Sequence, residues 1–147
     1  MTDKFFISLR NVNGAHSQKS RRAFQALGLS SGQPKVLYIL KRNEGKLQKE
    51  IAMLSRIAQP TMTSLLKNME CRNWIRREPV YVSGGRRAYS LYLTEEGREM
   101  AEKIEDIVEN LETVSLQGFT AEEKQSLLEM LCRVEENLIR FEFPKEP

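Results

Sequence analysis

The sequence predicts a mainly α (α+β) fold, and three observations predict it. Apolar residues recur at helical spacing in six separate stretches of the 147-residue chain. Two short runs, residues 74–77 and 88–93, read instead as strands, with a basic connection that ends in Gly84-Gly85-Arg86-Arg87. A short helix, a sharp turn and a second helix stand directly before those strands. That order describes a winged helix-turn-helix, with terminal helices left over to form a dimerisation region.

The first helix is expected from about Asp3 to Ala26, with Phe5, Leu9, Val12, His16, Ala23 and Leu27 near one stripe. Gly14 weakens its middle, and Gly28 stands where a C-terminal cap belongs. Ser30 is expected to open the second helix, since Ser30 and Gln33 have the spacing of a capping box. Val36, Leu37 and Leu40 form its buried face, and Asn43-Glu44-Gly45 ends it. The third helix is expected over residues 48–54, burying Leu47, Ile51 and Leu54, with a small Ala52 for a close crossing.

The fourth helix opens near Pro60, a good residue for a first turn. Met62, Leu65, Leu66 and Met69 make its buried face, and Asn73 suits a left-handed end. In the second strand Tyr89, Leu91 and Leu93 share a face. Residues 78–87, with Pro79, Gly84 and Gly85, read as a long connection.

Thr94-Glu95-Glu96-Gly97 starts the fifth helix: a capping hydroxyl, then two acids where the helix dipole favours them. It is expected to bury Met100, Ile104, Ile107, Leu111 and Val114. Gln117-Gly118-Phe119 breaks it, and Thr120 with Glu123 caps a sixth helix bearing Leu127, Leu131, Val134, Leu138 and Phe141. The apolar surface of the terminal helices exceeds what one small lobe needs. Residues 1–28 and 94–147 are therefore expected to form a homodimer, and residues 29–93 a DNA-binding lobe. An intramolecular three-helix bundle is the other way to cover those seams.

Charge is divided unevenly. The net +3 is made of +6 over residues 1–45, +6 over 46–93 and −9 over 94–147. A basic face opposite an acidic one suits a polyanion partner. No run of ~18 apolar residues predicts a membrane span. The N-terminus is too broken by charge for a secretory signal, and Cys71 and Cys132 make no disulfide or metal pattern. A cytoplasmic protein without membrane, metal or cofactor is expected. No nucleophile elbow, phosphate loop or metal signature points to an enzyme.

The candidate site is the outward face of the fourth helix. Gln59, Pro60, Thr61, Thr63, Ser64 and Lys67 avoid the buried stripe. Gln59 has the donor and acceptor that adenine needs in the major groove, and threonine methyls suit thymine. Lys67, a turn later, suits phosphate. Arg86 and Arg87 of the wing suit a narrow minor groove, whose negative potential attracts cations. Cys71 is read as a packed thiol, Cys132 as interior or interface filling, and the single histidine, His16, as a partly buried structural residue.

Four pieces together resemble the MarR family of winged helix-turn-helix transcriptional regulators. They are Gly28-Leu29-Ser30-Ser31-Gly32-Gln33 before Val36-Leu37, then Lys49-Glu50-Ile51-Ala52, then residues 57–69, then Leu93-Thr94-Glu95-Glu96-Gly97. The resemblance implies an obligate homodimer on a pseudo-palindromic double-stranded DNA operator. It also implies repression relieved by a small-molecule or redox signal. A small aromatic or phenolic effector would lie near His16. The chain departs from the family's pattern at Gly85, where an Asp often braces the wing arginines, at Ser64, where an Arg is common, and at Asn73, where a glycine is. The first two departures leave an alternative open: a winged-helix protein-interaction module without DNA binding.

Overall fold

The computed structural model describes residues 4–145. The order is α1 (Phe5–Ala26), α2 (Gln33–Lys41), α3 (Gln48–Ser55), α4 (Gln59–Cys71), β1 (Ile75–Val82), β2 (Arg86–Leu93), α5 (Glu95–Ser115) and α6 (Ala121–Arg140). A start at Asp3 lies outside the described residues. The chain forms two compact units, one reaching Leu111 and one beginning at Glu112.

The core lies in the first unit. Val36, Leu37 and Leu40 of α2, Ile51 of α3, and Met62, Leu66 and Met69 of α4 are fully buried, together with Leu91 of β2 and Ile104 of α5. Each such side chain contributes roughly 1.5–3 kcal/mol by leaving water. β1 and β2 are antiparallel, in register from Ile75 opposite Leu93 to Val82 opposite Arg86. The chain before α3 adds a short third edge: Leu47 bridges to Ser90, and Gly45 and Lys46 exchange backbone hydrogen bonds with Leu91. This edge explains why the adjacent residues Ser90 and Leu91 are both buried.

Thr94 joins the wing to α5. Its hydroxyl accepts from the Gly97 N–H at 3.0 Å and donates to the Asn73 carbonyl at 2.6 Å. Gly97 is required by space, since a Cβ there would lie 1.8 Å from the Trp74 carbonyl oxygen. In the second unit, Thr120 and Glu123 make the reciprocal capping box expected of α6.

Five expectations need correction. Gly32 has φ +86°, which no helix contains, so α2 begins at Gln33 and not at Ser30. Half of the capping box survives, because the Ser30 N–H donates to Gln33 Oε1 at 2.8 Å. Leu54 is 45% exposed, and Ser55 is buried in its place. Helix α3 meets the core through residues 51, 52 and 55, an arc that Leu54 lies outside. The strands extend through most of the expected loop. Pro79, which has no N–H, is tolerated because β1 pairs with β2 alone and is an edge strand. The expected stripe of α5 runs on only in part: Gly97, Ala101 and Ile104 are buried, Met100, Ile107 and Leu111 are half-buried, and Val114 is 63% exposed. Finally, Cys71 is exposed rather than packed, while Cys132 is exposed in the single chain, in which α1 and α6 bury no residue.

Candidate nucleic-acid interface

Helix α3, a tight turn and α4 form the helix-turn-helix. Arg56 makes the turn with left-handed backbone (φ +56°), and Ala58 caps α4. Pro60 sits in the first turn, where its missing N–H costs nothing. Met62, Leu66 and Met69 fix the orientation of α4 by filling the core. Gln59, Pro60, Thr61, Thr63, Ser64 and Lys67 are consequently all exposed. No acidic residue occurs from Gln59 to Met69.

Two details refine this face. The Thr63 hydroxyl donates to the Gln59 carbonyl at 3.0 Å and accepts from Gln48 Nε2 at 3.1 Å. Its proton is thus committed within the protein, which leaves the methyl and one acceptor lone pair as its free chemistry. Gln48, in the first turn of α3, was missed in the sequence. A polar residue opening the helix before the turn was its only signal. Asn68 is tied back by Gln33 Nε2 at 2.7 Å, and Gln33 is only 2% exposed.

The wing turns over a 3₁₀ turn, Ser83–Gly85, with Gly84 and Gly85 both at positive φ. Arg86 and Arg87 follow as the first residues of β2, opposite Val82 and Tyr81, rather than in a loop. Both are exposed. The Arg87 guanidinium lies 5.3 Å from the Tyr89 ring centroid.

The profile of the MarR family matches residues 29–80, from α2 into the wing. The HTH-type transcriptional regulator PecS of Dickeya dadantii (strain 3937) is 32% identical over 122 residues, covering 80% of this chain and 72% of PecS. This chain belongs to the MarR family. It is therefore a transcriptional regulator of winged helix-turn-helix type and not an enzyme. The HTH-type transcriptional regulator YybA of Bacillus subtilis (strain 168) is 28% identical over 117 residues, 80% of this chain and 77% of YybA. Among solved structures, a MarR family transcriptional regulator from Listeria monocytogenes, complexed with 26mer DNA, superposes with TM-score 0.81. It is 25% identical and matches 93% of this chain and 90% of that one.

In this MarR-family chain the segment from Gly28 to Gln33, the α1–α2 loop and the first residue of α2, is fastened to α4 and its C-cap at three points. Arg72 Nη1 donates to the Gly28 carbonyl at 2.6 Å while its guanidinium stacks 3.9 Å from the Trp74 ring. A Cβ on Gly32 would meet Leu65 Cδ1 at 2.8 Å, so loop and helix touch there. The third point is the hydrogen bond from Gln33 to Asn68. The other side of this loop walls a cavity of about 650 Å³ against α1. His16 lines it and is exposed, not partly buried as expected. Arg21 and Lys35 line it as well, and Phe24, Leu29 and Pro34 supply apolar wall. No carboxylate is among the lining residues.

Two carboxylates lock the lobe. Glu44 receives Arg98 Nη2 at 2.7 Å and the Leu93 N–H at 2.8 Å. Burial pushes its carboxyl upward, but those hydrogen bonds and the charges of Arg98 and Arg76 together hold it below its ordinary value. Glu105 is also held low, chiefly by the hydrogen bond from Lys41 at 2.8 Å, with Arg42 at 3.1 Å adding to it. Among the described residues no cluster of histidine, cysteine or carboxylate could hold a metal ion. None of their helices is long and apolar enough to cross a membrane.

Proposed function

We propose that two copies of this chain form a homodimer that represses transcription by occupying a pseudo-palindromic DNA operator in the cytoplasm. The observation that carries this reading is the face of α4. Six polar or small residues are exposed on it without an acid among them, directly beside a basic wing. Gln59 and Thr63 read bases in the major groove, the latter through its methyl. Thr61 and Ser64 meet base edges or phosphate, Pro60 sets the approach of the first turn, and Lys67 holds phosphate. Arg86 and Arg87 serve the minor groove. The Listeria relative complexed with DNA supports the assignment.

The dimer is supported by the apolar surface of the terminal helices. Phe5, Val12, Leu131 and Leu138 are exposed in the single chain, and an obligate pair would bury more than ~2,000 Å² in total. The cavity beside His16 is the effector site in this reading. Its cationic and apolar lining suits a small aromatic or phenolic acid. Such a ligand would press on the loop of residues 28–33, which is fastened to α4. A redox signal through exposed Cys71 is the other route to release.

The test is selection of duplexes from a random 26-base-pair library by the full chain, followed by fluorescence anisotropy. The expected outcome is enrichment of a two-fold-symmetric motif bound by two chains. Failure to enrich any motif, with weak binding indifferent to sequence, would reduce the face to a general basic surface.

A further inference from the structure

We propose that Arg77 is the positioning residue that sets the wing against the recognition helix, from the base of the hairpin rather than from its tip. The proposal rests on α4 and the wing acting as one DNA-binding face. Arg77 lies in β1, yet its Nε donates to Oε2 of Glu70, in the last turn of α4, at 2.8 Å. The same guanidinium lies 5.0 Å from the ring centroid of Tyr89 in β2. One side chain thus touches the recognition helix and the opposite strand together. Tyr89 is in turn the ring over which Arg87 lies. Glu70, Arg77, Tyr89 and Arg87 form a continuous row from helix to wing tip.

The register accounts for the row. Arg77 is opposite Leu91, Pro79 opposite Tyr89, and Tyr81 opposite Arg87. Residues two apart share a face of a strand, so Arg77, Tyr89 and Arg87 share one. Arg86 falls on the other face, and its side chain has no hydrogen bond, ion pair or ring contact among the described residues. The tip offers no support of its own, because a Cβ at Gly84 or Gly85 would meet nothing within 4 Å. The direction of the wing is therefore set at its base, where the backbone of residues 45–47 holds β2 and Arg77 ties β1 to α4.

The chemistry requires arginine. A guanidinium donates to a carboxylate along its edge while its flat face lies near a ring. An ammonium keeps the charge but loses the stacked face. It follows that the two wing arginines serve the minor groove in different ways, Arg87 by steadying the wing and Arg86 by entering the groove. Arg87 belongs to the brace, and Arg86 is the free cation that the brace aims at the minor groove.

The experiment takes one duplex enriched by the wild type and compares its A·T-flanked and G·C-flanked forms. Arg77→Ala is expected to weaken the A·T-flanked duplex roughly fivefold and the G·C-flanked one less than about twofold. Arg77→Lys should lose most of the same flank preference despite keeping its charge, and it serves if the alanine variant folds poorly. In an Arg86→Ala background, Arg77→Ala should add almost nothing, because it acts through Arg86. Additive losses, or equal losses on both flanks with a salt slope reduced by about one, would make Arg77 a direct phosphate contact and overturn the proposal. A wild type that enriches no duplex overturns the reading of the face itself, and the proposal with it.

Discussion

Between Leu29 and Ile104 this chain closes a core of its own, whereas α1 and α6 bury no residue at all. The apolar period is nevertheless the same kind in both regions. Met62, Leu66 and Met69 of α4 repeat at four and three, and so do Leu127, Leu131, Val134 and Leu138 of α6. The first set is fully buried, while Leu131 and Leu138 of the second are 48% and 62% exposed. Period identifies a helix and its apolar face. It does not say whether the surface that covers the face lies in the same chain or in another. In the lobe the answer is intramolecular, and in our reading of the terminal helices it is a second copy.

Substitutions in the two regions should therefore fail in different ways. The largest effect is expected in the lobe, from Gly97→Ala, whose Cβ would collide with the Trp74 carbonyl. Together with Leu66→Ala, which empties a fully buried site, it should cost about 2–5 kcal/mol by denaturant unfolding. A lobe that tolerates both would break the claim of a tightly closed core. The next effect belongs to α6. Leu131→Glu with Leu138→Glu should leave the lobe's fold intact by circular dichroism while light scattering falls from a dimer mass to 17.0 kDa. A wild type already at 17.0 kDa at micromolar concentration would make the contrast one of exposure alone.

A smaller effect sharpens the roles within the DNA face. Gln59→Ala should lose about 1–3 kcal/mol of discrimination at one base position per half-site, and Lys67→Ala should weaken all sequences alike. Equal loss on specific and non-specific DNA for Gln59→Ala would remove it from base reading. The smallest effect concerns the lock at Glu44. Its folded carboxyl titrates below the ordinary 4.5, so its stabilisation is complete above that value and is lost as pH falls through the lower folded value. Glu44→Gln should thus lower the Tm slightly near pH 7, and the difference from wild type should close in acid. A gap that stays constant down to pH ~3 would assign the effect to packing.

What was legible in the sequence follows from the same distinction. The α4 stripe, the Thr94 and Thr120 caps, and the left-handed Asn73 were all readable, since each depends on neighbours within a turn or two. So was the exposed set from Gln59 to Lys67, which is what remains once the stripe is assigned. Long-range facts were not. The extension of the strands to Val82 and Arg86 depends on cross-strand pairing, and Pro79 and the glycines argued locally for a loop. The exposure of Leu54 depends on the angle at which α3 meets the core. The bonds from Gln33 to Asn68 and from Arg77 to Glu70 join residues that periodicity does not relate. Gly85 speaks only for the missing neighbour beside the arginines, and nothing local to it points to the contact of Arg77 with Glu70 at the base of the strand.

The most direct measurement is the binding of the full chain to its enriched duplex in an analytical ultracentrifuge, repeated across salt concentrations. The account predicts two chains per duplex and a log–log salt slope of magnitude above about 4, as two lobes each neutralising several phosphates require. One chain per duplex, or a response that stays flat as salt rises, would contradict it.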